Sequence, residues 1–381
     1  MKGVMRKERV RIIEDFEGFL ALEKEWDRCV EAMEPSLPFL THTWLRVWWA
    51  SFGACQRLYV MTVWDEDRLV GAWPLLRTSC RILKFFEIPC LQSLVNGQSL
   101  ISNVICRPSD LDRVLEVFRD HWEKEDSAWE LIVLAYVPLT FQTVDRIEAV
   151  FRDHGGAHVF VEPAGRGYLS YFIDIRGGFD QYFNGLNKSF RDNRKNIRNR
   201  LTRRGGVRVE YSKDFEPAAV ERFMVLEDSG WKGAERTSIR SSPDLIRFYT
   251  DIAREFARRG EFLLTTLYID GKAAASIYGI SFCQVFYFLK IGIDSTDPEL
   301  GRLSPGQVIL EDLVKHCFDA GMTKFDFYGT CQPFEAHWTK TVDRKKTVFI
   351  FNRRHLRAAV CIVIRGWVNA IRGVLATCGK K

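Results

Sequence analysis

Residues 300 to 329 read LGRLSPGQVILEDLVKHCFDAGMTKFDFYG. Pro305 and Gly306 suit a first helical turn, where proline's missing amide proton costs nothing and the other amides lack internal partners. The apolar period of Gly306 to Ala320 predicts a helix, with Gly321 as its C-cap. Lys324 to Tyr328 reads as a strand, and alternation pairs Phe325 with Phe327 on one face and Asp326 with Tyr328 on the other. Glu335 and His337 follow within eleven residues of Asp326. Core packing requires no such carboxylate, acid and imidazole at a strand exit; a reaction site gives them a use.

Upstream, Phe262 to Ile269 and Lys272 to Ile280 predict strands around an Asp-Gly turn, and Gln284 to Ile291 a third strand. Helices are expected over Ala218 to Leu226 and, after Ser242-Pro243, over Leu245 to Arg259. The first half repeats this order. RLYVMTVWDEDRLVGAWPLL at 57 resembles FLLTTLYIDGKAAASIYGI at 262, and SAWELIVLAY at 127 resembles GMTKFDFYGT at 321. The offsets, about 205 and 195 residues, predict tandem copies of one α/β unit, with a single large mixed sheet as the competing arrangement. Ile12 to Arg28 and the Trp-rich segment from Leu37 read as leading helices, Leu83 to Ile88 as a short strand, and Thr347 to Phe351 as the last strand.

The chain has 381 residues and a formal charge of +6. After Asp343 there is no acid and there are ten Lys or Arg. A second basic block, Leu186 to Arg208, holds nine Lys or Arg against one Asp. The charged N-terminus lacks the apolar core of a signal peptide. The longest uncharged apolar run near the C-terminus, Ala358 to Ile364, is seven residues, against about 20 for a spanning helix. Ten Cys without CxxC or His/Cys ligand spacing read as buried thiols of a reducing compartment, and no metal site is expected. The tail from Arg353 patterns as a basic amphipathic helix suited to an anionic membrane surface or to a protein partner.

The hairpin, the third strand, LSPG at 303, NKSFRDNRKNIRNR at 187, GWKG at 230, and FDFYG leading to HWTK together resemble a GNAT-type N-acyltransferase, over roughly residues 10–350. More narrowly, they resemble the CelD/BcsL-like branch, distantly related to the FemAB-type ligases. The resemblance implies an α/β fold of tandem GNAT-like domains with mixed central sheets, followed by a C-terminal amphipathic helix. The expected extents are 1–165 for a structural or acceptor-side domain, 166–352 for a catalytic domain and 353–381 for the tail. The implied activity is acyl-CoA-dependent amide formation on a sphingoid-base-like lipid amine or an amino sugar. Acyl-CoA is then a co-substrate, nothing is tightly bound, and the location is cytoplasmic, peripheral to the inner membrane face.

Transfer of acyl groups other than aminoacyl is expected, with nucleic acid set aside because no aromatic platform, recognised module or paired long-helix arm is evident. FemAB-like transfer from aminoacyl-tRNA is the alternative enzyme, and a non-catalytic polysaccharide assembly or export subunit the alternative outside catalysis.

Amide formation needs a neutral amine, hence a base, and a proton for the leaving group. Asp326 and His337 are the candidate bases, Tyr328 the proton donor, and Glu335 a partner that orients the imidazole or meets the amine. Each has a plainer reading: Asp326 paired with Lys324 or capping a turn, Tyr328 as a core aromatic, His337 as a structural histidine. Gly301, Arg302, Ser304, Gly306 and Gln307 form a variant phosphate-binding helix start, which an ordinary Pro-Gly start also explains. The resemblance places a splay between the fourth and fifth strands, with Ile291 and Gly292 presenting the thioester. Trp231 and Lys232 fall on the acceptor side, or in an ordinary loop. Arg191, Arg194 and Arg198, at helical spacing, recognise an anion or form a solvated face. The first copy offers only Glu130 and Tyr136 at the equivalent strand.

Overall fold

The computed structural model describes residues 9–82, 86–124, 129–152, 156–162, 168–204, 206–297 and 301–364. Its chain divides into two compact units.

The first unit takes residues up to Trp49, 53–168, and Arg344 onward. Its elements are β1 (Arg9–Ile13), α1 (Phe16–Leu20), α2 (Glu23–Glu31), α3 (His42–Phe52), β2 (Arg57–Asp65), β3 (Arg68–Ile82), β4 (Phe86–Ser93), β5 (Ile105–Cys106), α4 (Leu111–Lys124), β6 (Leu131–Pro138), α5 (Thr143–Arg152) and β7 (Ala157–Val161). In its sheet β1 to β4 form an antiparallel meander, and β6 joins β4 in parallel. Helix α4 buries Val114, Leu115, Phe118 and Trp122, spaced three to four residues apart, and Trp122 meets Trp73 of β3 at 5.2 Å between ring centroids. Gly71 of β3 permits this approach, because a Cβ there would lie 2.7 Å from Val114 Cγ1.

The second unit contains β8 (Leu169–Asp174), α6 (Phe179–Asn184), α7 (Lys188–Arg204), β9 (Val207–Ser212), α8 (Pro217–Asp228), α9 (Trp231–Ala234), α10 (Pro243–Arg258), β10 (Phe262–Ile269), β11 (Lys272–Phe282), β12 (Val285–Ile293), α11 (Pro305–Asp319) and β13 (Lys324–Asp326). Its strand order is β8-β13-β12-β11-β10-β9, antiparallel except for the β12–β13 pair. The series hairpin, third strand, helix, parallel strand thus occurs twice, as β2–β3–β4–α4–β6 and β10–β11–β12–α11–β13. This is the tandem α/β architecture with mixed sheets that the internal repeat predicts.

Alternation along β11 separates two core faces. Ile277 packs with α11, whose Val308, Ile309, Leu313 and Val314 bury against Phe286, Phe288, Phe325 and Phe327. Tyr278 points to the other face, where its hydroxyl donates to the Tyr249 carbonyl of α10 at 2.7 Å. Each such buried aliphatic or aromatic side chain contributes about 1.5–3 kcal/mol, so packing rather than helix propensity fixes α11.

Several boundaries differ from the sequence reading. The helix expected from Ile12 begins at Phe16, because Ile12 pairs in β1 and Asp15 caps α1 by accepting the Gly18 N–H at 2.6 Å. The strand expected over Leu83 to Ile88 begins within the described residues at Phe86. The last strand, β14 (Val342–Asn352), pairs along Lys345 to Phe351 with β6 and, along Val348 to Asn352, with β7, burying Val348 and Ile350 in the first unit. The chain therefore returns to the first unit at Arg344, whereas the sequence reading runs the second domain to 352. A helix follows over 356–364, with Ala358 and Cys361 buried and Leu356 81% exposed. Arg365, Trp367 and Arg372 of the expected tail helix lie outside the described residues. No described helix is long and apolar enough to cross a membrane.

Candidate active site

The second unit's sheet forks. Parallel pairing of β12 with β13 covers only Val285–Tyr287 against Lys324–Asp326, while β12 runs on to Ile293. Among the described residues, its edge toward β13 is unpaired beyond Tyr287. A register shift between β11 and β12 leaves Leu289 without a counterpart, since Lys290 opposes Tyr278 and Phe288 opposes Gly279.

Helix α11 ends against the mouth of this fork. Ser304 precedes it in left-handed backbone (φ 48, ψ 55), and no side chain caps its first turn. A Cβ on Gly306 would lie 2.6 Å from Ile293 Cδ1 and 3.4 Å from Ile291 Cδ1, so glycine allows the helix start to close on β12. An apolar pocket of about 260 Å³ lies there, lined by Ile291, Ile293, Gly301, Ser304, Pro305, Gly306, Gln307 and Phe334. Ser304, Gln307 and Phe334 also line a larger groove of about 910 Å³ that runs along α7 to His337 and Lys340. Arg302 is exposed just before the helix. The buried Gln307 Oε1 has no hydrogen-bond partner among the described residues.

The Asp326 and His337 side chains go to different places. Strand β13 ends at Asp326, and Tyr328 turns to positive φ (43°), which interrupts the alternation expected through Tyr328. Asp326 is buried, ion-paired with Lys324 at 2.8 Å, and accepts the Tyr328 N–H at 2.9 Å. Lys324 also pairs with Asp343. Burial alone would lower the Lys324 pKa, but the two carboxylates outweigh it and raise it. His337 is exposed on the groove wall and stacks on Phe190 of α7 (5.4 Å, 10° between planes). Glu335 is 3% exposed and accepts the Gln332 N–H at 2.9 Å. Burial, with the Asp326 charge adding to it, raises its pKa to about 7.

The basic helix is largely tied into the fold. Arg194 is 2% exposed and pairs with Glu311 of α11 at 3.3 Å. Burial depresses its pKa against the pull of that carboxylate. Arg198 holds Glu311 at 2.9 Å and Asp312 at 2.7 Å. Arg191 donates to the Leu186 carbonyl at 3.2 Å and to Asn184 Oδ1 at 3.3 Å. Lys195, Arg200 and Arg203 are exposed.

On the opposite face of β12, the α8–α9 turn clamps the strand. A Cβ on Gly292 would lie 2.6 Å from the Glu227 backbone nitrogen. Buried Glu227 accepts the Ile239 N–H at 2.8 Å and pairs with Lys232 at 3.0 Å, and Lys232 donates to the Ile291 carbonyl at 3.2 Å. Trp231 opens α9; the description does not extend to its side chain. Lys290 joins this cluster, a residue the sequence reading passed over. Its signal was a lysine inside the otherwise apolar run VFYFLKIGI.

The acetyltransferase (GNAT) domain model, Acetyltransf_6, matches residues 188–336, which lie within the second unit. No curated protein matches the chain. Among solved structures, FemX is similar at TM-score 0.59 and 13% identity, covering 87% of this chain and 96% of its own. The C-terminal DUF2156 domain of a putative lysylphosphatidylglycerol synthetase from Agrobacterium fabrum is similar at TM-score 0.51 and 9% identity, covering 91% and 95%. A conserved protein of unknown function from Bacteroides thetaiotaomicron reaches 0.50 at 12%, covering 90% and 100%. The chain thus has a GNAT-like α/β fold, and FemX and the synthetase domain are similar to it in fold.

These likenesses overturn two expectations. FemX carries the Fem name of the FemAB-type ligases held above as the alternative, and the synthetase is named for lysylphosphatidylglycerol. The restriction to groups other than aminoacyl is withdrawn. So is the partner assignment to acyl-CoA with nucleic acid set aside. A carrier RNA can be held through its phosphates alone, without a base-reading module.

Proposed function

We propose that this chain is an aminoacyltransferase of the FemAB kind, carrying the CelD/BcsL-like variant of the fold, and that it moves an aminoacyl group from tRNA to an amine of a lipid or amino-sugar acceptor. The observation that carries this reading is the forked β12–β13 edge opening onto the groove along α7. At the fork a reacting ester carbonyl meets Ile291 and Gly292. The uncapped start of α11, with Ser304, Gly306 and Gln307, faces the phosphates nearest the ester, and Arg302 stands beside them. The groove, with His337 stacked on Phe190, receives the terminal nucleotides. Lys195, Arg200 and Arg203 supply the positive surface for the RNA backbone. Arg191, Arg194 and Arg198 hold α7 in place. The acceptor enters from the α9 side, past Trp231 and Lys232. Asp326 positions Tyr328 by taking its N–H, Tyr328 returns a proton to the leaving oxygen, and Glu335 is about half protonated near neutrality.

The test supplies total tRNA charged with labelled amino acids, or labelled acyl-CoAs, together with a total lipid and glycan extract. Label should pass from the charged tRNA, and K195E/R200E/R203E should reduce it at least about tenfold with a flatter salt dependence. Transfer from acyl-CoA alone, or none from either carrier, overturns the reading.

A further inference from the structure

We propose that Lys290 is the group that takes the proton from the acceptor amine during transfer, an inference that rests on the transferase reading above. Lys290 lies three residues beyond the last β12–β13 pair, at the start of the open edge. The register shift next to it turns its side chain away from Ile291 and the α11 pocket, onto the face where α8, α9 and α10 pack. That is the face assigned to the acceptor.

Among the described residues, the surrounding charges leave Lys290 without a counter-ion. From α8 comes Glu227, from α9 Lys232, from α10 Tyr249 and from β11 Tyr278. Glu227 is committed to Lys232 and to the Ile239 amide. No described carboxylate pairs with Lys290. Its Nζ stands 5.7 Å from the centre of the Tyr249 ring. The Tyr249 phenol in turn feels both Glu227 and the Tyr328 phenol, so this amine lies among groups from both arms of the fork. The frame is rigid. A Cβ on Gly233 would lie 1.9 Å from the Asp228 carbonyl, and Ser229 Oγ donates to the Ile293 carbonyl at 2.8 Å.

Burial first, then the Lys232 charge, lowers the Lys290 amine to about 8, with Glu227 opposing. At neutral pH roughly one molecule in ten therefore holds it neutral, in the range where a general base is effective. As the acceptor nitrogen bonds to the ester carbonyl carbon, its proton moves to Lys290 Nζ. The carbon–oxygen bond to the carrier breaks as the tetrahedral intermediate collapses. The proton then passes by way of Tyr328 to the leaving oxygen, which restores neutral Lys290.

The test compares wild type, K290M and K290Q in the charged-tRNA assay, with circular dichroism confirming the fold of each variant. Independently, reductive ¹³C-methylation follows the Lys290 amine by NMR. We expect the wild-type rate to rise with pH along a limb near 8, and both variants to lose about 100-fold or more together with that limb. The methylated amine should titrate near 8. Unchanged rates, the same limb in a variant, or an amine titrating above 10 would overturn the role of Lys290 and leave the transferase reading standing. Absence of wild-type transfer from any carrier would remove that reading and this role together.

Discussion

Glu335→Gln separates burial from pairing at the strand exit. Glu335 is almost fully buried, beside the Asp326 charge, and its pKa rises from 4.5 to about 7. Because the folded value lies above the unfolded one, the native state holds the extra proton between these values. Stability is then highest below about pH 4.5 from this group and declines as pH rises toward 7. The shift is about 2.5 units, which at about 1.4 kcal/mol each is roughly 3 kcal/mol lost across that window. Gln is isosteric with the protonated acid and keeps the oxygen that accepts the Gln332 N–H. In urea unfolding, E335Q should match wild type near pH 4.5 and exceed it by roughly 2–3 kcal/mol at pH 8. Equal stability of the two proteins at pH 8, or a variant weaker by a similar amount at both pH values, would refute the argument. Either would show that the carboxylate is well solvated or well paired.

Other changes test the frame. Arg194→Met should destabilise by about 3 kcal/mol by leaving Glu311 short of one buried partner, read as a lowered urea midpoint; a change below 0.5 kcal/mol would show that Arg198 alone neutralises Glu311. Gly292→Ala should cost at least about 2 kcal/mol, because its Cβ meets α8 backbone rather than a flexible side chain; thermal unfolding reads it, and an unchanged midpoint would show that α8 shifts freely. Gly306→Ala meets only the movable ends of the Ile293 and Ile291 side chains, so it should cost under about 1.5 kcal/mol in stability while weakening binding of charged tRNA several-fold by narrowing the apolar pocket. Fluorescence anisotropy measures that binding, and unchanged affinity would place the carrier elsewhere.

Much of the fold follows from sequence. The two hairpins, the helix after the third strand and the strand after that helix recur at a near-constant offset, and local rules suffice for them: apolar period, glycine turns and a proline helix start. The same rules miss β9, an edge strand whose residues are mostly exposed and carry no clean alternation. They also carry alternation past Asp326, where the positive φ of Tyr328 interrupts it. At the candidate site, sequence spacing brings Asp326, Glu335 and His337 into one segment. It does not show that the first two are buried while His337 is exposed on the groove wall.

Strand identity and helix start are local properties, set by each residue's own backbone preferences and its near neighbours, and so they are written in the chain. Which sheet β14 completes, where β12 leaves β13, and which lysine takes Glu227 are decided between residues far apart in sequence. Val348 belongs to the first unit because β6 and β7 offer it hydrogen bonds and a buried face. Among the described residues Lys290 has no counter-ion, because Lys232, from a turn 58 residues earlier, has taken the Glu227 carboxylate. Such competition for a buried partner exists only once the chain is folded.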